Sequence, residues 1–202
     1  MEFDLAAIIV SIGTIITAFF SYNQYTKNKE TDFKIETWKK KEEKKSEVRN
    51  DNIAKIGGQL YRILYAIKAD RVYIVQPHPL INNLYISISL EADIPGVTQM
   101  KYNVQNMPID EIALFASELA KRDIMIYKNV DSELKDIQAK ALFRNNGAKS
   151  VIIKKLFDKR YDWIGSIFCE FFDESKEFDY IYARSLVTEV AESIQFILPE
   201  YK

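Results

Sequence analysis

The chain holds one histidine and one cysteine, the two residue types that most often bind metals or act as nucleophiles. His78 stands between Pro77 and Pro79, a turn-forming context. A lone imidazole cannot build a histidine-rich metal site, and without a recognisable Ser or Cys partner it supports no nucleophilic dyad. Cys169 lies in an apolar run between Phe168 and Phe171 and reads as a small buried hydrophobe. A single cysteine excludes an internal disulfide and zinc-ribbon sites, and it suits a reducing compartment. Neither a Gly-rich phosphate loop nor a zincin helix occurs. The expectation is therefore a non-enzyme with no catalytic residue, no metal site and no resident cofactor. Tyr73, Tyr85, Tyr102, Tyr127 and Lys154 are side chains able to line a small-molecule pocket. Aromatic residues at strand spacing are as a rule core, so no ligand contact is assigned to them.

The 202 residues allow one domain of about 150 residues and an appendage. With 48% hydrophobic and 28% charged residues the composition is that of a folded protein. The net charge of -1 exerts no global pull toward nucleic acid, and no nucleic-acid partner is expected.

Leu5 to Thr26 contains no charged side chain. A helix of about 20 such residues reaches about 30 Å, the thickness of a hydrocarbon core, so residues 1–26 are read as a transmembrane anchor. Tyr22 and Tyr25 follow where amphipathic rings favour the interface. Glu2 and Asp4 ahead of the run, and Phe19 and Phe20 at its end, argue against a cleaved signal peptide. Between Lys27 and Arg49 nine Lys or Arg face six Asp or Glu, a surplus of three positive charges. The positive-inside rule then predicts a single pass through the inner membrane with the C-terminal side in the cytoplasm. The lipid bilayer is thus the first expected partner.

Residues 27–50 read as a charged juxtamembrane helix, since no Pro or Gly interrupts them. No apolar a and d positions occur from Lys39 to Glu47, so this segment specifies no coiled coil. A homodimer stays open.

Residues 51–202 carry the domain. Ile53, Ile56, Leu60, Ile63, Leu64 and Ile67 form a helical stripe, with Gly57-Gly58 as a candidate end or bend. Arg71–Gln76 and the alternating run Leu84 to Glu91 predict a hairpin, and Met100, Tyr102 and Val104 a third strand. Further expected elements are a helix over Ile109–Arg122, a strand over Ile124–Tyr127 and a helix over Ser132–Phe143 stopped by Asn145-Asn-Gly147. Strands Ser150–Leu156 and Trp163–Phe172 are joined by the turn Asp158–Asp162, and a last helix covers Glu177–Leu198. The sum is an α+β domain: a mostly antiparallel sheet with the first and last helices on one face and short helices on the other.

Gly147-Ala-Lys-Ser150 leading into a strand, Ile164-Gly165 opening the next one, the polar stretch Asp173–Phe178 and the closing helix resemble the GAF family in element order over residues 50–198. One departure is Lys154-Lys155 before Leu156, where an apolar residue and Pro are usual in the family. The resemblance implies a GAF-like (profilin-like) fold with a pocket between the sheet and the short helices. It also implies a class of ligands that runs from cyclic nucleotides and tetrapyrroles to none at all. The Asn, Lys, Phe, Asp, Glu set of the cyclic-nucleotide type is not placed in this chain, and one cysteine cannot form the disulfide of the family's methionine sulfoxide reductases.

The resulting expectation is a single-pass, membrane-anchored cytoplasmic GAF-like sensory or regulatory domain. It would bind an unidentified small molecule or a protein partner and signal through a separate effector, because no output domain follows Leu198. The alternative is a ligand-free membrane-tethered scaffold or interaction protein, for example an accessory protein of a phage or mobile element.

Overall fold

Successive residues of a strand face opposite sides of a sheet, and in the segment from Arg71 both sides are apolar. Val72 and Ile74 belong to one buried cluster, Tyr73 and Val75 to another. The sheet is therefore covered on both faces, and the rest of the domain is arranged to supply that cover. The computed structural model describes residues 5–79, 82–173 and 179–199, with only the backbone described for residues 5–12, 15 and 16.

The chain divides into two compact units, Met1–Asn50 and Asp51–Lys202. The first consists of the leading part of helix α1 (Leu5–Ala66), which carries an exposed i,i+4 ion pair between Glu36 and Lys40 at 2.8 Å. Among the described residues no helix is long and apolar enough to cross a membrane. The side chains of most of the apolar run expected to form the anchor fall outside the described set.

The second unit begins within α1 and continues through β1 (Arg71–His78), β2 (Tyr85–Asp93), β3 (Met107–Pro108) and a 3-10 turn at Ile109–Ile112. Then come α2 (Ala113–Lys121), β4 (Ile124–Tyr127), α3 (Val130–Glu133), α4 (Ile137–Asn145), β5 (Ser150–Phe157), β6 (Trp163–Phe171) and α5 (Tyr180–Ile194). Six strands form one sheet in the order β3-β2-β1-β6-β5-β4, and every pairing is antiparallel. The first and last helices share one face. Ile56, Leu60, Ile63 and Leu64 of α1 and Leu186, Val187 and Val190 of α5 pack on Val72, Ile74, Ile152 and Ile167. Each such side chain contributes about 1.5–3 kcal/mol through burial. The short helices α2, α3 and α4 cover the other face.

Several expectations are corrected. α1 runs through Gly57-Gly58 without ending there. Met100, Tyr102 and Val104 form a turn, not a strand, because the Glu91 carboxylate accepts the Met100 and Lys101 backbone N–H groups at 2.8 and 2.7 Å. Those amides are then unavailable to a ladder, and the third strand shrinks to Met107–Pro108. The helix expected from Ile109 opens as a 3-10 turn. The helix expected over Ser132–Phe143 is split, and Asp136 caps the second piece through the N–H groups of Gln138 and Ala139. Gly147 does follow the helix end, at φ +89°, a conformation that only glycine adopts freely. The last helix runs from Tyr180, behind an Asp179 cap, to Ile194 and so ends short of the expected Leu198; its expected start at Glu177, with residues 174–178 of the polar stretch Asp173–Phe178, lies outside the described residues.

Candidate functional site: a closed chamber beside a buried charged quartet

The sheet face under α2 and α4 carries a chamber built from four aromatic rings. Tyr73 of β1 and Phe168 of β6 are direct cross-strand partners and stack at 5.0 Å with 8° between their planes. Phe115 of α2 meets Phe143 of α4 edge to face at 5.7 Å, and both rings lean on Phe168 at 6.3 and 6.2 Å. Val75, Ile86, Ile88, Met100 and Val104 close the sides. The space left is ≈ 20 Å³, about what one water needs. Sites that hold drug-sized molecules measure roughly 300–1,000 Å³. In this conformation the protein's own side chains fill the space between the sheet and the short helices.

Two residues along the same strands, the face turns charged. Arg71 and Glu170 are cross-strand partners, and the Arg71 Nε and Nη2 donate to Glu170 Oε2 at 3.0 and 2.5 Å. The Tyr73 hydroxyl donates to the other oxygen, Oε1, at 2.5 Å. Glu91 stands 3.9 Å from the guanidinium and takes its remaining hydrogen bonds from the Met100 and Lys101 amides. Arg71 also donates to the carbonyls of Thr98 and Asn146 at 2.8 and 3.2 Å, and its guanidinium lies 5.1 Å from the Phe172 ring. One buried cation thus fastens two carboxylates and two loops. Burial drives the Glu170 carboxyl above its ordinary range, opposed by the pull of Arg71 and the Tyr73 hydroxyl. Burial and the neighbouring Glu170 charge raise the Tyr73 hydroxyl far above its usual value.

The residues singled out in the sequence scatter. Tyr73 lines the chamber. Tyr127 joins the same apolar cluster, and its hydroxyl donates to Glu118 at 2.7 Å; burial pushes its pKa up. Tyr85 and Tyr102 are exposed. Lys154 is buried away from the chamber's lining and pairs with Asp123 on the neighbouring segment. Cys169 is fully buried on the α1/α5 face, and burial raises its thiol. His78 does have a serine partner: its Nε2 lies 2.9 Å from Ser87 Oγ. That pair is not a nucleophilic dyad, since Ser87 is wholly buried and its hydroxyl oxygen already accepts the Asn106 N–H. Among the described residues no cluster of His, Cys, Asp or Glu suits a metal ion.

The charged quartet escaped the reading of the sequence, although a signal exists. Glu170 is a lone charge inside Ile167-Phe-Cys-Glu-Phe-Phe172, and Arg71 heads an apolar strand. A charge in such a run needs a partner from elsewhere in the chain.

This arrangement is the GAF-like α+β fold. Among solved structures, GAF3 from a Synechocystis protein superposes with a TM-score of 0.57 at 10% identity, covering 69% of this chain and 88% of that one. A phycoerythrobilin-bound GAF domain from a cyanobacterial phytochrome gives 0.56 at 14% identity, over 75% of this chain and 92% of that one. A GAF domain/HD domain protein from Geobacter sulfurreducens gives 0.55 at 15%, over 74% and 95%. No family model matches the sequence. No curated protein matches it either.

Proposed function

We propose that this chain is a non-catalytic, membrane-tethered regulatory module of the GAF type, read by a separate effector protein. Leu5–Thr26 lodges in the bilayer, residues 27–50 form the charged spacer, and residues 51–202 act in the cytoplasm. The tether rests on a helical backbone from Leu5, on the absence of charge up to Thr26 and on the basic surplus that follows. The observation that carries the reading of the domain is the chamber volume of ≈ 20 Å³. A cavity that its own aromatic rings fill favours recognition through the domain's surface over a resident small molecule.

A second reading, a small-molecule sensor, draws on two points. One similar structure is described as phycoerythrobilin-bound, and here a buried guanidinium stands beside the chamber. A ligand would then have to displace Phe115 or Phe143 and take over hydrogen bonds of Arg71.

The deciding experiment uses the full-length chain purified in lipid nanodiscs. Denaturation followed by mass spectrometry should release no small molecule in stoichiometric amount, whereas a stoichiometric ligand establishes the sensor reading. A ligand present at 100 times its Kd would stabilise the fold by about 2.7 kcal/mol, a readily seen thermal shift. Removal of residues 1–26 should move the protein from the carbonate-resistant membrane fraction to the supernatant; if it does not, the tether is refuted.

A further inference from the structure

The charges that follow the apolar run are sorted around α1. At 3.6 residues per turn, Lys27, Lys34, Lys41, Lys45 and Arg49 fall within an arc of about 80° of the helix circumference, with Trp38 among them and no carboxylate. Asp32, Glu36, Glu43 and Glu47 fall within about 60° on the opposite side, where Lys29 is the one cation between them. All of these side chains are exposed. Among the described residues Glu36 alone of them has an ion-pair partner in its own chain, Lys40 at 2.8 Å, in a pair that water surrounds.

The two faces carry matching ladders. Lys34, Lys41 and Lys45 are each followed two positions on by Glu36, Glu43 and Glu47, so cations and carboxylates repeat with the same spacing on opposite sides. Two residues displace one ladder from the other by about 3 Å along the axis, a step that a lysine side chain spans.

This relationship selects the partner. Copies anchored in one bilayer stand parallel, an orientation that rests on the tether proposed above. A two-fold pair of parallel helices sets a face against itself, lysines on lysines or carboxylates on carboxylates, and like charges repel. The basic face of one copy against the acidic face of the next sets each of the three lysines beside a carboxylate at the same membrane depth. Anionic lipid is a poorer fit, because Lys41 lies about 22 Å of helix beyond Thr26 and a charged surface is screened within about 8 Å.

We propose that α1 clusters neighbouring copies side by side in the membrane, the Lys34, Lys41 and Lys45 face of one copy docking on the Glu36, Glu43 and Glu47 face of the next. Unlike faces meet, so the two ends of a cluster each keep a free face and can add further copies. Exposed ion pairs are individually weak, which makes the association reversible and sensitive to salt. Confinement to the bilayer supplies the local concentration it needs, and the cluster offers a separate effector several domains at once.

The test inserts the full-length chain, carrying a donor or an acceptor fluorescent protein at its C-terminus, from detergent into preformed phosphatidylcholine vesicles, so that the folded domain stays outside. Energy transfer between copies should exceed that of randomly scattered molecules at the same density. The excess should fall about tenfold as NaCl rises from about 0.05 M to about 0.5 M. Lys34→Glu, Lys41→Glu and Lys45→Glu combined should bring transfer down to the random level, and so should Glu36→Lys, Glu43→Lys and Glu47→Lys combined. Mixing the two variants, one as donor and the other as acceptor, should restore the excess, which misfolded proteins could not do. The proposal is overturned if the parent shows only random transfer, if salt leaves the excess unchanged, if either combined variant alone keeps it, or if the mixture fails to restore it. It is also overturned if the excess arises only when phosphatidylserine is added, which makes lipid the partner. Carbonate extraction of the same vesicles tells a failure here from a failure of the tether: released protein refutes both, and retained protein with random transfer refutes the clustering alone.

Discussion

The carboxylate of Asp136 accepts the backbone N–H of Phe115 at 3.1 Å, although the two residues belong to different helical segments. Its other oxygen caps α4 through the Gln138 and Ala139 N–H groups at 3.1 and 3.0 Å. One buried side chain therefore ties the starts of both helices that roof the chamber.

Asp136→Ala removes a cap and leaves a buried amide unpaired, and the two effects together should cost about 2–4 kcal/mol. Asp136→Asn keeps the cap but turns an amide N–H toward the Phe115 N–H, with an intermediate loss. Urea unfolding midpoints of the two variants check the order. Equal midpoints for parent and Asp136→Ala would remove the double cap from the account.

Breaking the buried pair from the cationic side should be the more damaging change. Arg71→Met strands Glu170 and two loop carbonyls and is expected to cost about 3–5 kcal/mol. Glu170→Gln retains an acceptor for Arg71 and Tyr73, and its loss should be about 1–3 kcal/mol. A double-mutant cycle with denaturant melts measures the coupling; a coupling near zero contradicts the hub described for Arg71.

At Gly165 the sheet leaves no room for a side chain. A Cβ there would stand 2.8 Å from the Val75 carbonyl oxygen, so β1 and β6 would have to part. Gly165→Ala should destabilise by about 1–3 kcal/mol. The change is visible as faster amide exchange at the β1–β6 junction.

His78 is partly desolvated, which lowers its pKa from the ordinary value of 6.5. The unfolded chain then binds more protons than the folded one, so this group's contribution is fully present above pH 6.5 and fades as pH falls through the lowered folded value. The imidazole resonance should titrate below 6.5, and His78→Gln should flatten the stability profile between pH 5.5 and 7.5. A titration midpoint above 6.5 reverses the sign.

Cys169 should behave as a hydrocarbon rather than a nucleophile. Burial holds the thiol in its protonated form. A thiol-specific disulfide reagent should leave the native protein untouched over hours and modify one sulfur once guanidinium unfolds it. Rapid labelling of the folded chain would show that the α1/α5 face opens.

Much of this architecture is legible along the chain. The hairpins β1–β2 and β5–β6 announce themselves through alternation at Ile86 and Ile88 and through the turn Asp158–Asp162. The α1 stripe at Ile56, Leu60, Ile63 and Leu64 follows from its period, as does the division of helices between faces. What escapes are pairings that no local period encodes. Arg71 meets Glu170 and Asp136 reaches Phe115, each across intervening elements, and Ser87 finds His78 on the neighbouring strand of its own hairpin. The misplaced third strand has the same origin, since the Glu91 carboxylate claims the amides of Met100 and Lys101 in competition with a ladder. That the chamber is shut was likewise unreadable, because periodicity marks Phe115, Phe143 and Phe168 as inward without saying how completely they fill the interior.

The outermost strands β3 and β4 span two and four residues. An unpaired strand margin is a template on which another copy can extend a sheet, and its danger grows with length. β3 meets only Tyr85 and Ile86 of the longer β2. Just beyond them the Ile88 N–H and carbonyl are taken by the Val104 carbonyl and the Gln105 side chain, so that part of the flank is already occupied against edge-to-edge pairing with another copy.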